Sequence, residues 1–292
     1  MGERIGGFRS AAAEERFAAA YREAMAAGPR PVEQYDVRTS FGTARVYRYG
    51  PDEGAPIVLL HGFMSTSAGW GPFVGAFAER NPVYAVDALG EAGGSVQTRP
   101  LLSAADRARV LDEVLAGLGL SGVHVVGVSA GGWLGVSLVA HEPARVATLS
   151  LLEPTTVTST YHPAVMWRAV LAAAIRSDRA MRWFLRHSFG HDVLDRPEVR
   201  VVLVGTRTYR MRLPMLLPPS EEQLRAVRIP VLAVFGARNA VHDATRAAAR
   251  LRELVPHAEV DLWPDSGHDL GVFDDTGPIT GRVLGFVRAH SG

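Results

Sequence analysis

The feature that most constrains this chain is a set of short, nearly continuous apolar runs separated by helical patterns. The runs are PIVLL (56–60), VYAVD (83–87), VHVVGV (123–128), VATLSLL (146–152), PVLAVF (230–235) and AEVDLW (258–263). Each is shorter than an ordinary helix, and most run without the alternation of a strand with one wet face. Strands buried on both faces have this pattern, and they occur in parallel sheets covered by helices. Helical spacing fills most of the intervals, at 70–80, 103–118, 130–141, 243–254 and 277–289. The alternation predicts an α/β fold, a mostly parallel twisted sheet with helices on both faces.

Two regions depart from the alternation. VEQYDVRTS and TARVYRYG, joined by Phe41-Gly42, predict an antiparallel hairpin ahead of the parallel strands. Between Pro154 and about Arg228 there is no good strand, only amphipathic stretches such as AVMWRAVLAAAIRSDRAMRWFLRHSF. VRVVLVG (199–205) fits a strand, or a helix continuing through TRTYRMR. The interval reads as a helical insertion closing at LPMLLPPS. The N-terminal segment, MGERIGGFRSAAAEERFAAAYREAMAAG, has charges throughout and no apolar core, which excludes a signal peptide. It predicts a helix of about six turns ending at Gly28-Pro29. The expected organisation is an N-terminal helix over 1–30, an α/β core over 31–153 and 229–292, and the insertion over 154–228.

Composition removes several kinds of chemistry. The chain has no cysteine, which excludes disulfides, thiolate nucleophiles and Cys-ligated metals. All 31 basic residues are arginine, so no lysine can form a Schiff base or act as a general base. A net charge of +1 gives no field to draw nucleic acid or an anionic membrane. No stretch is long and apolar enough to span a bilayer. The expectation is a cytoplasmic protein needing no metal and no organic cofactor, acting on a small molecule, with a homodimer left open.

The chemistry-bearing residues lie where the predicted strands end. Gly127-Val128-Ser129-Ala130-Gly131 is a G-x-S-x-G between a β-branched run and a helical pattern. A serine on such a sharp turn is strained and exposed, and glycines two before and two after it avoid side-chain clashes. The start of the following helix favours developing negative charge. LLHGFMSTSAGW (59–70) follows the first parallel strand, and its His-Gly-Phe is suited to offering a backbone N–H to an oxyanion. The N–H groups of Phe63 and Ala130 are the expected donors, with Gly62 allowing close approach and His61 holding the loop. Gly267-His268 follows the last strand, from where the imidazole can reach the Ser129 hydroxyl as its base.

Together these residues resemble the α/β-hydrolase superfamily over roughly residues 33 to 290, with 154–228 as its helical cap. Within it the chain is most similar to bacterial carboxylesterases of the aryl-propionate ester hydrolase type. That likeness lies in the N-terminal helix, RVYRYGP, PIVLLHG, VYAVDALGEAGGS and the stretch from Gly236 into HDATRAAARLRELVP. The resemblance implies a sheet of about eight strands. Asp87-Ala88-Leu89-Gly90 matches the superfamily's D-x-x-G turn, where Asp87 is a structural cap. Serine at the elbow disfavours the epoxide hydrolases and haloalkane dehalogenases, whose nucleophile is aspartate.

One position breaks the pattern. The resembling esterases carry the triad's carboxylate three residues after Gly236, and here that residue is Asn239. An amide at this place costs about 10⁴ in rate in a serine-protease triad. Asp243 is near but reads more naturally as a helix N-cap. Glu153 lies at the end of the strand after the nucleophile's helix, where some superfamily members place the acid. A buried strand-end Glu is costly unless paired, which favours a partner such as His268. The expected triad is Ser129, His268 and Glu153, with Asp243 as the alternative acid. The expected function is a carboxylesterase for small hydrophobic or aromatic esters, since the insertion carries Trp167, Trp183, Phe184, Tyr161, Met166, Met181 and Met215. Two alternatives stay open: a non-hydrolytic cyclase, lyase or epimerase, and a ligand-binding protein with a vestigial triad.

Overall fold

The apolar runs form strands where the sequence places them. In the computed structural model, which describes residues 5–175, 177–271 and 275–291, the chain begins with β1 (Gly7–Phe8), α1 (Ala11–Ala26), β2 (Glu33–Thr39) and β3 (Gly42–Tyr49). It continues through β4 (Ile57–Leu60), α2 (Gly71–Phe77), β5 (Val83–Val86), β6 (Val96–Gln97), α3 (Ala104–Gly117), β7 (Val123–Val128), α4 (Ala130–His141) and β8 (Val146–Leu152). The insertion holds α5 (Pro163–Ile175), α6 (Asp178–Phe189), α7 (Pro197–Thr208), β9 (Tyr209–Arg210) and α8 (Glu221–Arg225). The chain then closes with β10 (Val231–Gly236), α9 (Ala244–Leu254), β11 (Glu259–Trp263) and α10 (Gly277–Ala289).

The main sheet runs β11-β10-β8-β7-β4-β5-β3-β2, with β6 beside β3. The six strands from β11 to β5 are mutually parallel, and β3 turns antiparallel to both β5 and β2. Alternate residues of each central strand feed two separate cores. Val231, Ala233 and Phe235 of β10 face one side, with Leu111 of α3, Val136 of α4 and Leu251 of α9. Leu232 and Val234 face the other, with Phe17 of α1, Phe73 of α2 and Phe286 of α10. This two-sided burial explains why the strands read as unbroken apolar runs.

Local signals set the helix ends. Ser103 and Asp106 form a capping box that starts α3, and Ser220 and Gln223 do the same for α8. The small residues Ala244, Ala247 and Ala248 with Leu251 and Leu254 give α9 one buried face.

The N-terminal helix is shorter than expected. It starts only at Ala11, where the Ser10 hydroxyl caps the Ala13 N–H. The preceding Gly7–Phe8 is extended, paired antiparallel with Tyr209 and Arg210 of the insertion. Residues 1–4 of the expected helix lie outside the described residues. The ambiguous VRVVLVG is helical, within α7. The insertion's exit is tied to the core by two bonds to its backbone: Trp133 Nε1–H to the Leu217 carbonyl (2.7 Å) and Arg107 to the Pro214 carbonyl (3.0 Å).

Candidate active site

Ser129 sits between β7 and α4 at φ 52°, ψ −117°, a conformation that L-residues rarely adopt. Its flanking glycines are sterically required. A Cβ on Gly127 would lie 2.3 Å from the Gly131 carbonyl oxygen, and one on Gly131 would lie 2.0 Å from that of Leu60. Gly62 is under no such demand from the chain. A Cβ there would meet Ser129 Cβ at an ordinary 3.6 Å, and the missing side chain leaves room beside Ser129. The Ser129 hydroxyl lies 3.3 Å from that of Thr155, which lies 3.3 Å from that of Tyr161.

Both expected oxyanion donors are at this edge. Ala130 opens α4, and Phe63 lies in the loop after β4 with its side chain exposed. His61 fixes that loop. Its Nε2 accepts the Ala88 N–H at 3.0 Å, which leaves Nδ1–H to donate to the Gly62 carbonyl at 2.8 Å. The buried Glu91 carboxylate accepts the Met64 N–H at 2.6 Å and holds the loop from its other end. Burial pushes the Glu91 carboxyl above its ordinary value. Asp87 is the cap foreseen for it, accepting from the Tyr21 hydroxyl and from the N–H groups of Ser67 (2.8 Å) and Gly94 (2.7 Å).

The acid corner holds more than the sequence suggested. Glu153 is fully buried at the end of β8, with φ 47°. Its Oε1 accepts the Gly236 N–H, and its Oε2 accepts the Asn239 side-chain amide. His242 Nε2 lies 3.0 Å from the same Oε2 and His268 Nδ1 3.5 Å from it. Burial pushes the Glu153 carboxyl up, but the hydrogen bonds from His242 and His268 outweigh it, leaving the group below its ordinary value. Asn239 is oriented unambiguously, since its Oδ1 accepts the Val241 N–H at 2.6 Å. Its amide nitrogen therefore faces Glu153 and stands 3.2 Å from His268 Nδ1. Asp243 caps α9, accepting the Arg246 N–H at 2.9 Å.

Glu153, His242 and His268 also form a group that could hold a metal, with ligand atoms within 4.8 Å of one another. The chemistry of the corner favours protons instead. Nitrogens that face one carboxylate oxygen at these distances are hydrogen-bond donors, and the Asn239 amide already occupies the same oxygen.

One expectation about the insertion needs correction. Trp167, Trp183, Met166 and Met215 are exposed rather than gathered into a pocket. The two tryptophan rings pack 5.4 Å apart with the Arg168 guanidinium over both, a cluster that keeps them at the surface. Of the expected aromatics Tyr161 does approach the site, through its hydroxyl to Thr155, and so does Phe189 at the end of α6, its ring 6.1 Å from that of His268. The sequence reading missed Phe189, Thr155 and His242. Only His242 left a signal, three residues beyond Asn239 on the loop where the acid was sought.

Comparison with known proteins agrees with this geometry. The alpha/beta hydrolase family pattern matches residues 57–277. The chain belongs to that family. It is 28% identical over 279 residues to carboxylesterase YbfK of Bacillus subtilis, covering 93% of each chain. The crystal structure of that carboxylesterase superposes with a TM-score of 0.84 at 26% identity, over 95% of this chain and 99% of the other. The naproxen esterase of Bacillus subtilis shares the fold at a TM-score of 0.87 and 24% identity, over 95% of this chain and 99% of its own. No helix among the described residues of this hydrolase is long and apolar enough to cross a membrane.

Proposed function

We propose that Ser129, His268 and Glu153 form the triad of a carboxylesterase that cleaves small hydrophobic or aromatic esters through an acyl-enzyme. The ester-hydrolase class rests on the family and on the carboxylesterase that this chain resembles over nearly its whole length. In the first step Ser129 Oγ attacks the carbonyl carbon while His268 Nε2 takes its proton. The Phe63 and Ala130 N–H groups receive the oxyanion. The C–O bond then breaks and His268 returns the proton to the departing alcohol. Water repeats the sequence on the acyl-enzyme, releasing the acid and restoring Ser129.

The observation that carries the acid assignment is the convergence on Glu153 Oε2. A wholly buried carboxylate held ionised by its donors faces His268 Nδ1 at 3.5 Å. That is long for a hydrogen bond, and such contacts commonly tighten once substrate binds. Residues 154–228 serve as a cap, with Phe189 and Tyr161 beside the reacting groups. One observation favours a second reading. With the Asn239 amide at 3.2 Å from His268 Nδ1, the imidazole can also rest as the Nε2–H tautomer, which is no base towards Ser129.

Hydrolysis of p-nitrophenyl acetate and butyrate, followed by a serine-directed phosphonate, tests the proposal. The expected result is a burst of nitrophenol and covalent labelling at Ser129. Labelling without turnover would move the reading to non-hydrolytic chemistry, and neither result would leave a binding protein.

A further inference from the structure

His242 is as buried as Glu153, both side chains showing no exposure, and its Nε2 is nearer to Glu153 Oε2 than His268 Nδ1 is. Its other nitrogen is engaged as well, with the Ser159 hydroxyl 2.7 Å from Nδ1. A carboxylate oxygen only accepts, so Nε2 carries the proton and Nδ1 accepts the Ser159 O–H. The ring stands edge-on to both His268 and Phe235, with centroids 6.2 Å away in each case. Its backbone is fixed from the insertion, through the Tyr161–His242 bridge and the His162 N–H bond to the Val241 carbonyl at 2.7 Å.

We propose that His242 is a positioning residue for the triad acid: it holds Glu153 Oε2 towards His268, and Ser159 fixes the tautomer that lets it do so. The inference rests on the triad reading above. Its physical need comes from Asn239, whose amide nitrogen contacts both Glu153 Oε2 and His268 Nδ1. Without a second anchor, Glu153 Oε2 is free to settle on the Asn239 amide and leave the imidazole. His242 gives that oxygen a further donor at 3.0 Å and disperses part of its charge. Among the described residues, the titratable groups clustered at this corner are Glu153, His242 and His268. Their neighbours are turned elsewhere, Asp243 to the Arg246 N–H and Asp269 to His191 of the insertion.

The test is the pH profile and the kcat against KM split of His242→Leu, with His242→Gln as the conservative variant. Removing the donor leaves a more basic carboxylate and hence a more basic His268. The acid limb of kcat should therefore move to higher pH, with kcat at its plateau lowered roughly ten- to hundredfold and KM nearly unchanged, the worth of a hydrogen bond to a charged group. His242→Gln, whose amide can still donate, should recover much of the loss. An unmoved acid limb in His242→Leu, or a loss that His242→Gln repeats in full, overturns the proposal. If His242→Leu does not fold, Ser159→Ala is read by the same limb and the same split. Wild-type turnover and phosphonate labelling of Ser129 are measured alongside. Their absence would bring down the triad reading, whereas a normal wild type with an indifferent His242 brings down this inference alone.

Discussion

Ser129 and Glu153 stand at the ends of neighbouring strands, β7 and β8, and both hold their backbones in the left-handed region, at φ 52° and 47°. Each is also hydrogen-bonded to the strand beside it. The Ser129 N–H donates to the Leu152 carbonyl and the Glu153 N–H to the Val234 carbonyl, both at 2.9 Å. Two strained residues one strand apart are thus secured in different ways. Ser129 is secured locally, by glycines two residues away that make the turn passable. Glu153 is secured at long range, by donors from Gly236, Asn239, His242 and His268. Strain of this kind costs on the order of 1–3 kcal/mol per residue and survives only where the surroundings fix it.

The sharpest way to test the contrast is to remove each functional group in turn. Ser129→Ala should lower kcat by about 10⁶, because removing the nucleophile leaves only binding and the oxyanion donors. Phosphonate labelling should vanish with it, and the fold should persist by circular dichroism. Glu153→Gln should lower kcat by about 10⁴ with little change in KM, as for an amide in the place of a triad acid. A Glu153→Gln enzyme with near-normal kcat would show that the acid lies elsewhere.

Asn239→Asp separates a migrated acid from a degraded site. It would set a second carboxylate against Glu153 Oε2 in place of a donor, and two adjacent carboxylates cannot both ionise freely. The expected fall in kcat is about tenfold or more, the loss of one charge-assisted bond. The pH dependence of stability should invert as well. In the wild type Glu153 lies below its ordinary value, so its contribution is present above the unfolded-state pKa and is lost as the pH falls through the folded one. In the variant one carboxyl of the pair is raised, so stability is lost as the pH rises through that folded pKa. Thermal melts that span the range below the ordinary carboxylate pKa, where the wild-type loss falls, and the range above it up to about pH 8, where the variant's loss falls, read both signs. A strong rise in rate on Asn239→Asp would mean that the position still expects its acid.

The same contrast explains what the sequence made legible. The elbow could be read because its requirements are local: a β-branched run, glycines at fixed offsets and an apolar helix. The central parallel strands could be read because burial on both faces leaves no polar alternation. Glu153 could be named as a candidate acid only through the resemblance, in which some superfamily members place the acid at this strand end, together with the amide at Asn239, since nothing within LLEP states which donors converge on it. His242 could not be assigned at all, because its role depends on β8, β10 and the first turn of the insertion meeting in space. The exposed Trp167–Trp183 pair shows the opposite error. The abundance of aromatic and Met residues suggested an apolar pocket, but their orientation is set by how α5 packs on α6, and a guanidinium over both rings makes the surface acceptable.

The smallest effect expected is at Asp243, the other carboxylate near this corner, and it sharpens the distinction between an acid that acts and one that caps. Asp243 accepts the Arg246 N–H at 2.9 Å and starts α9. Asn caps a helix about as well as Asp, so Asp243→Asn should leave kcat within about twofold and the melting temperature nearly unchanged. Asp243→Ala removes the cap and should cost about 1 kcal/mol, or roughly 2–4 °C in a chain of this size, with kcat still near normal. A large fall in kcat for Asp243→Asn, with the melting temperature held, would move the triad's acid from the end of β8 to the start of α9.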